Sequence, residues 1–373
     1  MAKVRKLRID LVITELNQGG AEQCCTDLAL FLVSHGHLPR VVSIGPRPRP
    51  PHDTQIQRLD RGAVPMQFIG TQKWYQFPLA WWRLRQLVKS DPPAIAQSFL
   101  WHANVMSAAV YPSLGVPLVG GNRVAEPRSY RHFLGARAAK KMSKVVCVSQ
   151  AIADWTFDQE SVPIEKLCVI PNGVDPQSID RQKQHPDPDP RPILLFVGRL
   201  NPQKGVDVLL EKMPALLTAL PNHRIVIIGD GSMRATVVSQ VQRLQDPSRV
   251  QILGQRDDAI AWMHRSQILL LPTRYEGMPN VILEAMACGI PVATMGVEGI
   301  AEVLGPNLME QAAKKDHWDE WYQLVVQIAS SPERILRLGT LNRIRVETFF
   351  QLHAQLRKYE DLYLALTHSP LAH

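Results

Sequence analysis

Two glutamates, Glu276 and Glu284, stand eight positions apart in "RYEGMPNVILEAMACGIPV", residues 274–292, around the start of an apolar run. A carboxylate among apolar residues is costly unless something binds it. Gly277 suits a turn and Pro279 the first position of a helix, so a helix is expected from about residue 279, with Glu276 in the loop at its mouth. The backbone N–H groups of Asn280 and Val281 then face out where the helix dipole is positive and an anion is stabilised. Glu284 falls about 7.5 Å further along, at about 1.5 Å per residue. A ligand with a diphosphate on the helix end and hydroxyl pairs on either side fits this spacing, because an ionised carboxylate only accepts hydrogen bonds. Taken alone, a loop acid and an exposed helix acid explain the pair as well.

Cations stand in a second stretch, "GRLNPQKG", which follows the continuous apolar run "PILLFV". Arg199 and Lys204 are thereby placed at the carboxyl end of a buried strand, where a guanidinium fork and an ammonium point charge clamp phosphates and stabilise a departing diphosphate. Ordinary surface cations are the plainer alternative, weakened because Arg199 lies so close to the buried run. In "NQGGAEQ", Gly19 and Gly20 allow a tight turn and close backbone approach before a helix starting near Ala21, as would any plain β-to-α turn. "IGDGSMR" lacks the third glycine of a dinucleotide fingerprint and is not read as an NAD site. His102, in "FLWHAN", ends another strand, where an active-site role and packing on a helix start fit equally.

The elements that must carry these residues repeat one grammar. "LRIDLVITEL", the glycine turn, "CCTDLALFLVSHG" and "PRVVSIG" form a βαβ unit, and further strands are readable at "PLVGG" and "KVVCVS". Residues 176–192, "PQSIDRQKQHPDPDPRP", are polar and proline-rich and are taken as a linker. Strands then restart at "PILLFVGRL", "HRIVIIGDG", "VQILG", "QILLLPT" and "PVATM", with helices between them. Strands apolar throughout and alternating with helices imply parallel sheets covered on both faces. The expected architecture is therefore α/β, with two doubly wound Rossmann-like domains, residues 1–175 and 193–346, facing a central cleft, and a last amphipathic helical segment, 347–373.

Composition narrows the function classes. The chain has 373 residues, enough for two ordinary domains, with low aromatic content. Its five cysteines form no metal-type spacing and suit a reducing cytosol. "MAKVRKLRIDLVITEL" carries Asp10 and Glu15 inside its apolar run, unlike a signal peptide. Ser98 to Asn122 has no Asp, Glu, Lys or Arg, yet Pro112 and Pro117 divide it into a short helix, a turn and a strand rather than a membrane span. Residues 1–190 hold 23 Lys and Arg against 16 acids, while 191–373 hold 19 against 18, so the basic excess belongs to the first half and points to an anionic surface or ligand there.

"NQGGAE", "VSQAIADW", "VIPNGVD", "FVGRLNPQKGVDVLL", "IIGDG", "ILGQRDD", "PTRYEGMPNVILEAMACGIPVAT" and "FFQLHAQLRKYEDLY" together resemble the retaining glycosyltransferases of the GT-B fold known as family 4, or glycosyl transferases group 1. The resemblance spans nearly the whole chain and is strongest over residues 193–300. It implies a nucleotide-sugar donor held by the second domain: Arg199 and Lys204 on the diphosphate, Glu276 on the sugar hydroxyls, Glu284 on the ribose, the backbone at Asn280–Val281 on a phosphate, and Gly254, Gln255 and Arg256 at the base. It also implies that Gly19–Gly20 closes on the donor, that the last helix crosses back to the first domain, and that no metal or other cofactor is needed beyond the UDP- or GDP-sugar. Many members carry a histidine after the strand written here "PLVGG"; this chain has Asn122 and Arg123, which leaves His102 as the remaining candidate beside the reacting sugar.

The activity so implied is transfer of a sugar with retention to a hydroxyl of a glycan or lipid-linked acceptor, in cell-surface polysaccharide or glycolipid synthesis, by a cytoplasmic enzyme. A sugar-nucleotide epimerase or an inactive nucleotide-sugar- or glycan-binding subunit are the alternatives. Nucleic acid explains the charge but not these motifs. On a helix starting near Pro78, Trp81, Leu84, Leu87 and Val88 share a core face, while Trp82, Arg85 and Lys89, with Lys73 and Trp74 upstream, suit either a solvated face or peripheral contact with an anionic membrane.

Overall fold

In a computed structural model of the chain, the described residues are 6–50, 52–71, 73–125, 129–182 and 188–368. Two compact units result, one of residues 1–172 and 354–373, the other of residues 173–353.

The first unit holds a parallel sheet of β1 (Arg8–Ile13), β2 (Leu38–Ser43), β3 (Met66–Phe68), β4 (Ile95–Phe99), β5 (Leu118–Asn122), β6 (Lys144–Cys147) and β7 (Leu167–Val169). Its strand order is β3-β2-β1-β4-β5-β6-β7. The connecting helices are α1 (Gly20–Ser34), α2 (Thr54–Arg61), α3 (Phe77–Ser90), α4 (Trp101–Val110), α5 (Ser129–Lys140) and α6 (Gln150–Glu160). The uncharged stretch divides as expected into α4, a turn at Gly115 (φ +73°) and β5. No helix among the described residues is long and apolar enough to cross a membrane.

The second unit opens on α7 (Pro176–Asp180) and builds its parallel sheet from β8 (Ile193–Val197), β9 (Arg224–Ile228), β10 (Val250–Gly254), β11 (Ser266–Leu271), β12 (Val292–Gly296) and β13 (Ala312–Lys314). The order is β10-β9-β8-β11-β12-β13. Around it lie α8 (Val206–Ala219), α9 (Arg234–Gln242), α10 (Ala259–Arg265), α11 (Asn280–Ala287), α12 (Ile300–Leu304), α13 (Leu308–Gln311), α14 (Trp318–Ala329) and α15 (Pro332–Phe349), and α16 (Leu352–His368) ends the described chain. Leu194, Leu195, Phe196, Leu269, Leu270 and Leu271 are fully buried, as strands covered on both faces require.

The units divide at Asn172/Gly173, upstream of the stretch read as a linker. Proline-rich composition suggested a tether, but Pro176 opens a helix whose N-cap, Asp175, accepts from Gln177 N at 3.0 Å. Arg343 then grips Asp180 through two bonds of 2.8 and 3.0 Å, which holds α7 in the second unit. Residues 183–187 of that stretch lie outside the described residues. On the return, Val174 N donates to Phe350 O and Leu352 N to Val174 O, both at 2.9 Å, so the outgoing and returning chains run side by side in the second unit.

Most of α16 belongs to the first unit, dividing at His353/Ala354. Tyr363 OH donates to Gln97 Oε1 in the buried β4, and Glu360 Oε1 meets His37 Nε2 at 3.0 Å. Leu7 N donates to His37 Nδ1, so that nitrogen is the acceptor and Nε2 carries the proton given to Glu360. Glu360→Ala strands a buried donor and is expected to lower stability by about 1–3 kcal/mol. A urea titration followed by circular dichroism reads the loss as a lower midpoint. Glu360→Gln, which still accepts, should keep most of it, and an unchanged midpoint in the alanine variant contradicts the assignment.

Candidate active site

The second sheet reverses its winding between β8 and β11. Chains leaving two such strands turn to opposite faces, and the crevice at their carboxyl ends is where ligands bind in open α/β sheets. Lys204 follows β8 and Glu276 follows β11, so both highlighted charges flank this point.

Backbone-on-backbone stacking positions them. Gly205 has φ +70°, and a Cβ there would lie 1.7 Å from Pro272 O, so the turn after Lys204 lies directly on the chain leaving β11. Gly229 repeats the device at φ +140°, where a Cβ would lie 1.9 Å from Gly198 O. Gly198 N donates to Ile228 O, Leu200 N to Asp230 O and Gly229 N to Gly254 O, at 2.8–3.0 Å, which ties together the loops after β8, β9 and β10. Arg274 N donates to Gln203 O (2.9 Å), and the Arg274 guanidinium forks onto Asp207, joining the loops after β8 and β11.

Within this frame Lys204 Nζ donates to Glu276 Oε1. Glu276 is 6% exposed, Thr273 Oγ1 stands 3.1 Å from its Oε1, and its backbone N–H donates to Glu298 Oε2 at 3.3 Å. Lys315 Nζ bonds the other Glu298 oxygen at 3.2 Å. The buried Glu276 carboxylate is thus compensated by a cation and a hydroxyl, as burial demands. Cation and carboxylate, assigned from sequence to neighbouring parts of a ligand, stand in direct contact here.

Helix α11 starts at Asn280 with Pro279 as its N-cap, one residue later than expected. Proline offers no side-chain acceptor to the first turn, whose Asn280 and Val281 are half-buried. Glu284 lies on the same helix, also half-buried. Arg199 is exposed, and its guanidinium makes no hydrogen bond or ion pair with another described residue. Gly254 closes β10 at φ +68°, Gln255 is exposed, and the Arg256 guanidinium is bound to Asp258 by two bonds of 2.6 Å, so backbone rather than the arginine fork is on offer there.

The first sheet reverses between β1 and β4, and here too the highlighted residues flank the reversal. Gly19 is the extended N-cap of α1, and a Cβ on it would lie 2.3 Å from Glu22 Oε2. Gly20 is the first helical residue, and buried Glu22 folds back over the start in the manner of a capping-box acid. His102 is exposed at the start of α4, its ring edge-on to Trp101 at 4.9 Å. Asn122 and Arg123 face other tasks. Asn122 Nδ2 donates to Thr156 Oγ1 and Glu160 Oε2, where burial pushes the Glu160 carboxyl up and this bond opposes the shift. Arg123 Nη2 donates to Asn172 Oδ1 at 2.8 Å and to Cys24 Sγ at 3.1 Å.

Sequence reasoning did not find Thr273, Gln203, Glu298 or Glu22. The glutamate three positions into "GGAE" carried a capping signal; Glu298 carried none, because only the fold brings the end of β12 beside the loop after β11. Among the described residues no group of three or more His, Cys, Asp or Glu stands together as a metal site.

The chain is similar to known proteins in sequence and in fold. Residues 191–331 match the family model of glycosyl transferases group 1, and residues 18–178 that of Glycosyltransferase Family 4. The chain belongs to this group 1/family 4 family, and its two sheets form the GT-B fold. It is 31% identical over 185 residues to an uncharacterized glycosyltransferase of Methanocaldococcus jannaschii, covering 46% of this chain and 47% of that one. It is 27% identical over 201 residues to the Vi polysaccharide biosynthesis protein VipC/TviE of Salmonella typhi, covering 50% and 34%. The chain thus spans about a third to a half of the length of these relatives. Anabaena HepE, solved in complex with UDP-glucose, superposes with a TM-score of 0.82 at 18% identity, over 96% of this chain and 100% of that one.

Proposed function

We propose that this protein is a retaining glycosyltransferase that moves a sugar from a UDP- or GDP-sugar, without a metal, to a hydroxyl of a glycan or lipid-linked acceptor. It works at the cytoplasmic face of a membrane, in peripheral contact with anionic lipid. The observation that carries the proposal is the Lys204–Glu276 pair at the β8/β11 reversal. In a nucleoside diphosphate sugar the anomeric carbon is one oxygen away from the β-phosphate. A site for it needs a phosphate cation and a hydroxyl acceptor side by side, which this pair supplies. The UDP-glucose bound by HepE and the polysaccharide role of the Salmonella protein support the same reading.

In this reading Lys204 and Arg199 hold the diphosphate at the start of α11, with Asn280–Val281 N–H groups on one phosphate. Glu276 accepts from the sugar hydroxyls, Glu284 from the ribose, and the Gly254–Arg256 backbone meets the base. The acceptor oxygen attacks the anomeric carbon on the face the diphosphate leaves. The bond from that carbon to the phosphate oxygen breaks with its electron pair going to the diphosphate, and the acceptor proton passes to the departing phosphate. Lys204 and Arg199 neutralise the charge as it forms.

Thermal shift with UDP, GDP, ADP and their sugars in the presence of EDTA tests the proposal. A ligand at about a hundred times its Kd adds about 2.7 kcal/mol, a shift easily read. UDP or GDP and its sugar should raise the midpoint; no shift with any of them overturns the reading. The two glutamates should then separate by ligand. Glu284→Gln is expected to weaken bare nucleotide through the ribose, whereas Glu276→Gln spares nucleotide and weakens only the sugar-bearing donor. Calorimetry that finds both substitutions acting equally on both ligands would reject the assignment of ends.

A further inference from the structure

One segment carries the chain's whole positive charge. Residues 73–149 hold eleven Lys and Arg against two acids, Asp91 and Glu126, a net of +9 where the entire chain carries +8. This segment forms α3, α4 and α5, and none of the three helices contains an Asp or Glu. The connections from β3 to β4, β4 to β5 and β5 to β6 all advance the same way across the sheet, so right-handed crossovers place their helices on one face. Trp81 Nε1 of α3 donates to Ala109 O of α4 at 3.3 Å, and Trp101 Nε1 of α4 donates to Arg131 O of α5 at 3.0 Å, which sets the three side by side.

Apolar side chains collect at one end of this layer. Tyr75, Phe77, Leu79 and Trp82 around the start of α3, and Phe133 and Leu134 near the start of α5, are all exposed, Trp82 to 53% and Phe133 to 64%. The core side of α3 is accounted for by Ala80, Leu84 and Val88, with Trp81 and Leu87 half-buried. Arg85 bonds Ser113 Oγ at 2.8 Å, so it belongs to α4's side rather than to the outer face with Trp82 and Lys89. The Trp74 side chain lies outside the described residues. Cations border the apolar groups: Lys73 stands over the Tyr75 ring and Arg137 over the Phe133 ring, at 5.8 and 5.6 Å, and Arg83, Lys89, Lys140 and Lys141 are exposed beyond them. Helix starts follow strand ends, so these groups lie at the carboxyl edge of the first sheet, the edge that also bears Gly19, Gly20 and His102.

We infer that the rim formed by the first two turns of α3 and α5 is a docking surface for an anionic lipid bilayer. Aromatic and leucine side chains enter the boundary between headgroups and acyl chains, where Trp and Tyr are favoured, while the acid-free helices set their cations against anionic headgroups. Charge complementarity selects this occupant, and the exposed phenylalanine and leucines distinguish it from nucleic acid, which would use the cations and leave those side chains in water. The inference rests on the membrane contact proposed above and names the surface that makes it.

Co-sedimentation of the full chain with vesicles tests it. The protein is expected in the pellet with phosphatidylcholine–phosphatidylglycerol vesicles and in the supernatant with phosphatidylcholine alone, and the anionic binding fades with added salt. Arg137→Gln with Lys140→Gln should lower partitioning about 25-fold, at about fivefold per cation. Phe133→Ser with Leu134→Ser should lower it about tenfold or more. Thermal shift with UDP and GDP, run on the same preparations, monitors folding and separates the two proposals. Protein that responds to nucleotide yet stays in the supernatant with anionic vesicles at low salt overturns the docking surface and leaves the transferase. Pelleting without a nucleotide response does the reverse. Binding that both double variants retain in full, or that the apolar one leaves untouched, also overturns the surface.

Discussion

Lys204→Ala is expected to lower turnover about 100- to 1,000-fold, the usual loss when one preorganised donor to developing charge is removed. The ammonium compensates the buried Glu276 carboxylate before ligand arrives, and in the proposed reaction it neutralises the charge that forms on the β-phosphate. Its loss should therefore weaken bare nucleoside diphosphate as well, and leave Glu276 buried with only Thr273 beside it. The double variant Lys204→Ala, Glu276→Gln separates these roles. Removing the stranded charge should restore thermal stability, because the cost of a broken buried pair is mostly the uncompensated partner. Turnover should stay low. Steady-state kinetics on a responsive donor, beside a melt of each variant, reads both; recovery of turnover with stability would reduce Lys204 to a structural counter-ion.

Gly205→Ala is expected to cost the second unit about 2–5 kcal/mol, from left-handed strain of about 1–2 kcal/mol and overlap of the added methyl with Pro272 O, an overpacking of about 1–3 kcal/mol. The φ of +70° and the 1.7 Å approach act at one atom, with backbone rather than a flexible side chain on the other side. Gly115 is the control. It has a similar φ of +73° but nothing within 4 Å of the added carbon, so Gly115→Ala should show only the strain. Urea midpoints of the two variants separate contact from conformation; equal losses would mean that the loops after β8 and β11 do not lean on each other as described.

The contrast between these glycines shows what the sequence could convey. Apolar runs such as "ILLFV" and "QILLL" announced buried parallel strands, because a strand covered on both faces has no polar alternation to hide. β4, "IAQSF", has no such run, and only its end before His102 was read as a strand. Its Gln97 and Ser98 are polar, and only tertiary partners make them tolerable: Ser98 Oγ bonds Asn104 Oδ1 at 2.7 Å and Gln97 accepts from Tyr363. The edge strands β3 and β7 have three residues each, too few for a pattern. The linker was misplaced for a similar reason, since prolines mark a helix start as readily as a tether, and the Arg343–Asp180 pair that decides between them joins residues 163 positions apart.

The candidate site divides along the same line. Lys204 and Glu276 were legible because a cation after a buried strand and an acid before an apolar helix are local signals. Their contact depended on the β8/β11 reversal, which only the strand order reveals. Glu298 was invisible, because nothing in "MGVEGI" says that its carboxylate receives the Glu276 N–H. Asn122 spends its amide on Thr156 and Glu160, a use that no local pattern discloses.

The most direct test of the central claim is the anomeric configuration of the sugar first released or transferred from whichever nucleotide sugar stabilises the protein, followed by proton NMR in EDTA from the first minutes of reaction. The account expects the configuration of the donor to be kept, turnover to proceed without divalent metal, and Lys204→Ala to slow it about 100-fold or more. Appearance of the opposite anomer first, or turnover that stops in EDTA and returns with magnesium, would contradict it.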